Sequence, residues 1–205
     1  MTDAEVVARV QPSVVRIDTP DSCGTGVQVA GGILTAEHVV HGEGNIQVRS
    51  QSGTSFHSNV LRADTNADVA LISGGPALPA LDLDFVGSMR IGDPVLVLGY
   101  PKCSVLGGTP TFIKGSLSAV RKEDSVMYVP TDAAINPRDS GGPLLNQSGH
   151  IVRIVEFGSK DTQGLGFGVA SETFNVFLSL PSSLFQPRQW QRPHRIQLPH
   201  RRRCG

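Results

Sequence analysis

Long apolar runs are missing from this 205-residue chain, and with them any segment able to cross a bilayer as a single helix. Its start, Met1-Thr2-Asp3-Ala4-Glu5, lacks the basic residues and apolar core of a secretory signal, so a cytoplasmic product, or a chain whose leader has been removed, is expected. Cysteine is scarce as well: Cys23, Cys103 and Cys204 are odd in number and have no metal-ligand spacing, which argues for reduced thiols rather than a disulfide framework. His41 follows His38 by three residues, but no acidic or cysteine cluster completes a metal site around them. His57, His150, His194 and His200 stand in polar surroundings. No metal and no organic cofactor are expected.

Acidic side chains are absent after Pro181, where six arginines fall between Arg188 and Arg203, while residues 1–180 carry 18 acidic against 12 basic groups. The neutral formal charge therefore hides an acidic body and a basic tail. Pro181 to Gly205 has little hydrophobic periodicity and three further prolines, so it is expected to be disordered or loosely docked. Nucleic acid or anionic lipid would suit its charge, but a solvated arm explains the composition without a partner.

Aromatic residues make up only 5% of the chain, whereas Gly numbers 23 and Pro 14. Short Val, Ile and Leu runs punctuated by Gly, Asp, Asn and Pro indicate an all-β chain of barrels or sandwiches, not a helix-crossed parallel sheet. The runs are Ser13–Asp18, Gly26–Ala30, Gly32–Thr35, Ile46–Arg49, Ser55–Arg62, Val69–Ser73, Pro94–Gly99, Thr111–Val120, Ser125–Pro130, Gly142–Leu145, His150–Phe157 and Gly166–Ala170. Before them, Val6, Val7 and Val10 with Pro12 behind predict a short N-terminal helix over Thr2–Val10. Gly74-Gly75-Pro76 and Pro79 interrupt the strand pattern and place an internal boundary near Gly74 to Arg90.

The most informative segment is Thr131 to Leu145, in which Ser140 is preceded by Asp139 and followed by Gly141-Gly142-Pro143. Glycines let backbone approach a reacting carbonyl, and successive N–H groups can converge on a developing oxyanion. A serine hydroxyl becomes a useful nucleophile only when an imidazole takes its proton and a carboxylate orients that imidazole. Leu34-Thr35-Ala36-Glu37-His38-Val39-Val40 supplies the imidazole, and Asn66-Ala67-Asp68-Val69-Ala70 places a carboxylate at the mouth of a strand. Asp64 and Asp82 open no comparable strand. Taken singly, His38, Asp68 and Ser140 could each be ordinary turn or core residues; their ordered combination is what points to hydrolysis.

In that order, and with Val10 to Ile17, Gly24-Thr25-Gly26-Val27 and Gly164 to Val169 in register, the chain resembles the trypsin-like serine proteases and, within them, the HtrA/Deg group, from about Val6 to about Leu178. The resemblance implies two packed six-stranded β-barrels in residues 1–180, the first at about 12–80 and the second at about 86–178, with catalysis at their interface. A peptide-binding PDZ domain often follows in that group, and 181–205 leaves no room for one. His38, Asp68 and Ser140 are then the triad of a serine endopeptidase acting on protein or peptide substrates, and the N–H groups of Arg138, Asp139 and Ser140 form its oxyanion hole. Ala134 and Ile135 fall at the floor of the primary pocket, with Glu156, Phe157, Gly158 and Gly166 along its wall. An apolar pocket of this kind favours small or medium aliphatic residues before the cut. Monomer and homotrimer are both compatible with the sequence. The departure from the family is Arg138, where glycine is usual: a residue with a Cβ turns its N–H toward the hole less easily, so a peptide-binding module with an impaired hole is the alternative function.

Overall fold

The computed structural model describes residues 1–75, 78–84, 88–101, 109–123, 126–156 and 177–179. The chain enters through α1 (Asp3–Val10), closed at its start by a reciprocal capping box in which the Thr2 hydroxyl accepts from the Glu5 N–H and the Glu5 carboxylate accepts from the Thr2 N–H. Pro12 ends the helix in a single 3-10 turn. Val6 and Val10 are buried, and Arg9 reaches across to the carbonyl of Ser148.

The first sheet contains β1 (Val14–Asp18), β2 (Cys23–Val29), β3 (Gly32–Ala36), β4 (Ile46–Ser50), β5 (Ser55–Ser58), β6 (Val60–Asp64) and β7 (Val69–Ile72). Its strand order is β5-β4-β1-β2-β3-β7-β6, antiparallel throughout. The two edge strands, β5 and β6, are consecutive in sequence and joined by Asn59 alone, so the sheet must curl until its edges meet. The run expected as one strand over Ser55–Arg62 is thus one path bent at Asn59, and the sheet is a barrel of six strand paths.

A second sheet pairs β8 (Pro94–Gly99), β9 (Thr111–Ser116), β12 (Pro143–Leu145) and β13 (Ile151–Ile154) in the order β13-β12-β8-β9, with β10 (Arg121–Glu123) and β11 (Val126–Tyr128) as a separate hairpin. The strand expected over Gly166–Ala170 and the tail from Pro181 lie outside the described residues.

Alternation along the strands sorts side chains between three cores. Val15, Ile17, Ile33 and Ile72 fill the first barrel, while Val95, Val97, Leu144 and Val152 fill the second. Their neighbours Val14, Leu34, Leu96, Leu98 and Leu145 point the other way and join α1 in the layer between the barrels. Strands buried on both faces read as continuous apolar runs rather than as an alternating pattern, as these do in the sequence.

One expectation is overturned. Cys23, at the start of β2, is disulfide-bonded, and its partner lies outside the described residues. The odd cysteine count misled because it treats all thiols alike, whereas two of three can pair when the fold brings them together.

Candidate active site

The end of β3 lies beside the start of β7, with Ala36 paired to Val69. The chain leaves β3 directly into α2 (Glu37–Val40), a single turn whose first N–H donates to the Asp68 carbonyl at 3.1 Å. Asp68 holds His38 at two points: Oδ1 accepts from the His38 backbone N–H at 2.8 Å, and Oδ2 lies 2.6 Å from the ring Nδ1. Because the carboxylate accepts at Nδ1, that nitrogen carries the proton and Nε2 is left as the basic atom. To make both contacts Asp68 takes φ +43°, the only left-handed non-glycine backbone among the described residues. Such a conformation persists only where surrounding bonds over-determine it. The hydrogen bond to Asp68 raises the His38 pKa above 6.5, against the opposing effect of burial and with smaller help from the charges of Asp68 and Glu37.

A second carboxylate–imidazole pair braces the same turn. Glu37 is buried, and its Oε1 lies 2.6 Å from His41 Nδ1 and 3.4 Å from the Thr65 hydroxyl. The four-residue spacing of Glu37 and His41 carries that signal in the sequence.

Ser140 comes from the other barrel, at the end of a 3-10 turn over Pro137–Asp139. Its carbonyl accepts from the Thr25 N–H at 2.9 Å. Gly141 follows at φ +86°, where a Cβ would stand 2.0 Å from the Thr25 carbonyl oxygen, so no other residue fits. Thr25 braces this junction, a role that the sequence does not assign to it. Fully buried, its hydroxyl donates to the Arg138 carbonyl at 3.2 Å and accepts from the Tyr100 N–H at 2.9 Å, while its carbonyl accepts from the Thr35 hydroxyl at 2.7 Å. The Gly24-Thr25-Gly26 motif held the signal: a small hydroxyl residue flanked by glycines where strands approach closely.

The expected oxyanion donors are placed differently from one another. The Asp139 N–H is committed within the turn, to the Asn136 carbonyl at 2.9 Å, and is therefore withdrawn from the expected set. Asp139 is itself buried: Oδ2 accepts from the Asn136 backbone and side-chain amides at 2.8 and 3.2 Å, while Oδ1 has no hydrogen-bond partner among the described residues. Burial raises its pKa, partly offset by those Asn136 bonds. Arg138 keeps a negative φ, and the i→i+3 pattern of the turn aims the next carbonyl, that of Pro137, at the Ser140 N–H.

Of the expected pocket residues, Ala134 is exposed and Ile135 is half-buried against the second-barrel core. Glu156 follows β13 and is half-buried, and Phe157, Gly158 and Gly166 lie outside the described residues. Carboxylate and imidazole are thus paired at the end of β3, and the Ser140 turn is docked on β2 of the same sheet through the Thr25 N–H.

The family profile of the trypsin-like peptidase domain matches residues 24–154. Mouse serine protease HTRA4 is 34% identical over 194 residues, covering 85% of this chain and 40% of that protein. The Synechocystis putative serine protease HhoB is 28% identical over 234 residues, covering 93% and 55% respectively. The chain thus spans about half or less of the length of these curated relatives. Among solved structures, the HtrA-type protease AlgW with tripeptide superposes with a TM-score of 0.78 at 29% identity, over 87% of this chain and 63% of that one. An inactive form of the M. tuberculosis protein Rv3671c gives 0.73 at 26% identity, over 87% and 93%.

Proposed function

The chain belongs to the trypsin-like peptidase family, within its HtrA group, and from that premise we propose that it is a serine endopeptidase acting on unfolded or flexible protein segments. The observation that carries the reading is the two-point seat of His38 on Asp68 at the edge of one barrel, set against the Ser140 turn of the other. In the proposed reaction Ser140 Oγ attacks the substrate carbonyl carbon as its proton passes to His38 Nε2. The tetrahedral intermediate collapses, the C–N bond breaks, and His38 hands the proton to the departing amine. Water, deprotonated by the same imidazole, then hydrolyses the acyl ester and restores Ser140. Asp68 stays ionised throughout, orienting the ring and stabilising its cation.

The 3-10 turn over Pro137–Asp139 supports an oxyanion hole that is closed at rest and opens when substrate engages. Rotating the Pro137–Arg138 peptide replaces a carbonyl by an N–H beside Ser140, a change worth about 10² to 10³ in rate per donor. Ala134 and Ile135 offer no charge to a substrate side chain, which favours cleavage after Ala, Val, Ile or Leu. The disulfide at Cys23 favours an oxidising compartment over the cytoplasm. Incubation with casein and with a fluorophosphonate probe, for wild type and Ser140→Ala, tests the reading. Hydrolysis and labelling are expected for wild type only, and cleavage retained by purified Ser140→Ala protein would refute the assignment.

A further inference from the structure

One row of paired residues crosses four strands of the first barrel: Thr25 on β2, Arg16 on β1, Arg49 on β4 and Ser55 on β5. Residues directly opposite in antiparallel strands share a face, and this face is turned away from the core that Val15, Ile17 and Val48 fill. Arg16 and Arg49 are therefore cross-strand neighbours of like charge, an arrangement that destabilises a sheet unless an anion balances it. Asp18, two residues along β1, is the anion present. Its Oδ1 accepts from Arg16 Nε at 2.7 Å and its Oδ2 from Arg49 Nε at 3.1 Å. Arg16 Nη2 turns to the same carboxylate at 2.6 Å, and Arg49 Nη2 donates to Gln47 Oε1 at 2.7 Å. Two positive charges thus share one negative, and Nη1 of each guanidinium makes no hydrogen bond among the described residues.

Both arginines line a cavity of about 260 Å³. Ser50, Gln51, Gly53 and Ser55 of the β4–β5 hairpin and Tyr100 of the second barrel complete its lining. Asp18 is not among the lining residues, so the wall carries two guanidiniums and no acid. We propose that this cavity binds the carboxylate of an acidic peptide side chain, at a site separate from the triad. A planar carboxylate matches the guanidinium fork, and its single charge equals the excess that Asp18 leaves uncompensated. A phosphate dianion would instead reverse the sign. The polar side chains of Gln51 and Ser55, both exposed at the rim, suit the peptide backbone on either side of that carboxylate. The cavity also adjoins the Thr25 brace: Arg16 is the strand partner of Thr25, and the Tyr100 N–H donates to the Thr25 hydroxyl at 2.9 Å. A consequence for turnover through that brace would rest on the peptidase reading, whereas binding of the carboxylate does not.

The test titrates the isotope-labelled full chain with four probes and follows the Arg16 and Arg49 Nε–H signals by NMR. The probes are acetyl-Ala-Glu-Ala-amide, its Gln counterpart, acetyl-Ala-Ala-Ala with a free C-terminus, and inorganic phosphate. The Glu peptide is expected to shift both signals saturably, the Gln peptide to shift neither, and phosphate to bind about tenfold more weakly. Arg49→Gln should weaken the Glu peptide by about tenfold, the loss of one charge-assisted bond. Ser55→Asp sets a carboxylate opposite Arg49 at an exposed position, so this variant should fold with a raised Tm and exclude the peptide. An equal response to the Glu and Gln peptides overturns the proposal, as does phosphate binding as tightly as the Glu peptide. So does a Ser55→Asp protein that takes the peptide with wild-type affinity. Binding of the free C-terminus without binding of the blocked Glu peptide overturns the side-chain assignment. A chain that hydrolyses no peptide yet gives the expected shifts keeps this site and loses the peptidase reading.

Discussion

Arg138→Gly should accelerate the proposed hydrolysis if the oxyanion hole rests closed as proposed, and the structure sets the size of the gain. Opening the oxyanion hole requires a flip of the Pro137–Arg138 peptide plane, which rotates φ of Arg138 by about half a turn and carries it positive. A residue with a Cβ resists that conformation by about 1–2 kcal/mol. If the flip also releases the Asp139 N–H from Asn136, a bond of 2.9 Å worth about 1 kcal/mol net, the closed state is favoured by about 2–3 kcal/mol. Glycine removes the first of these costs and leaves the second. The open fraction, and with it kcat/KM, should therefore rise by about 5- to 30-fold, short of the full value of a lost donor because the hole still closes part of the time. The assay is kcat/KM on a fixed peptide together with the rate of fluorophosphonate labelling at Ser140, both of which need the open hole. A change under about twofold in both, with the 3-10 turn retained in the variant, would refute the reasoning. A gain in hydrolysis without a gain in labelling would trace the effect to the arginine side chain in the substrate path.

Three further outcomes are expected. Asp68→Asn should lower the plateau rate by roughly 10³ to 10⁴ and shift the acid limb of the pH profile downward, because the raised His38 pKa comes first from its bond to Asp68; a pH–rate profile checks both changes. Thr25→Val should cost about 1–3 kcal/mol for the buried Tyr100 N–H it strands, and less for the part-buried bond to the Arg138 carbonyl, read as a lowered midpoint in urea unfolding with slower labelling of Ser140. Because the folded-state pKa of Glu156 is raised, its contribution to stability is complete below the unfolded value of 4.5 and is lost as pH climbs through about 8. The Tm of Glu156→Gln relative to wild type should accordingly grow between those pH values, and a constant difference would contradict the burial of that carboxyl.

Local signals in the sequence were sufficient where local physics decides the structure. The capping box of Thr2 and Glu5 with Pro12 beyond fixes α1 within a residue of expectation, and the apolar run Pro94–Gly99 is β8 at both bounds. The bend at Asn59 was not legible, because Ser55 to Arg62 is uniformly compatible with extended backbone and only closure of the barrel decides where the strand turns. Cys23 was misread for the same kind of reason: pairing depends on where the fold carries another thiol, which spacing along one chain does not encode.

At the site, residue types that chemistry demands could be named from order alone, since a nucleophile, a base and a carboxylate have few substitutes. What sequence order does not carry is the state of the backbone between them. Arg138 signals a constraint, but the constraint becomes a closed turn only through its partners: Asn136 bonded to Asp139 on one side, and Thr25 holding the Arg138 carbonyl on the other. Thr25 belongs to the first barrel and the turn to the second. Opening the hole is therefore coupled to how firmly the barrels grip each other there, and a ligand that loosens the Thr25 contact would shift the equilibrium without touching Ser140.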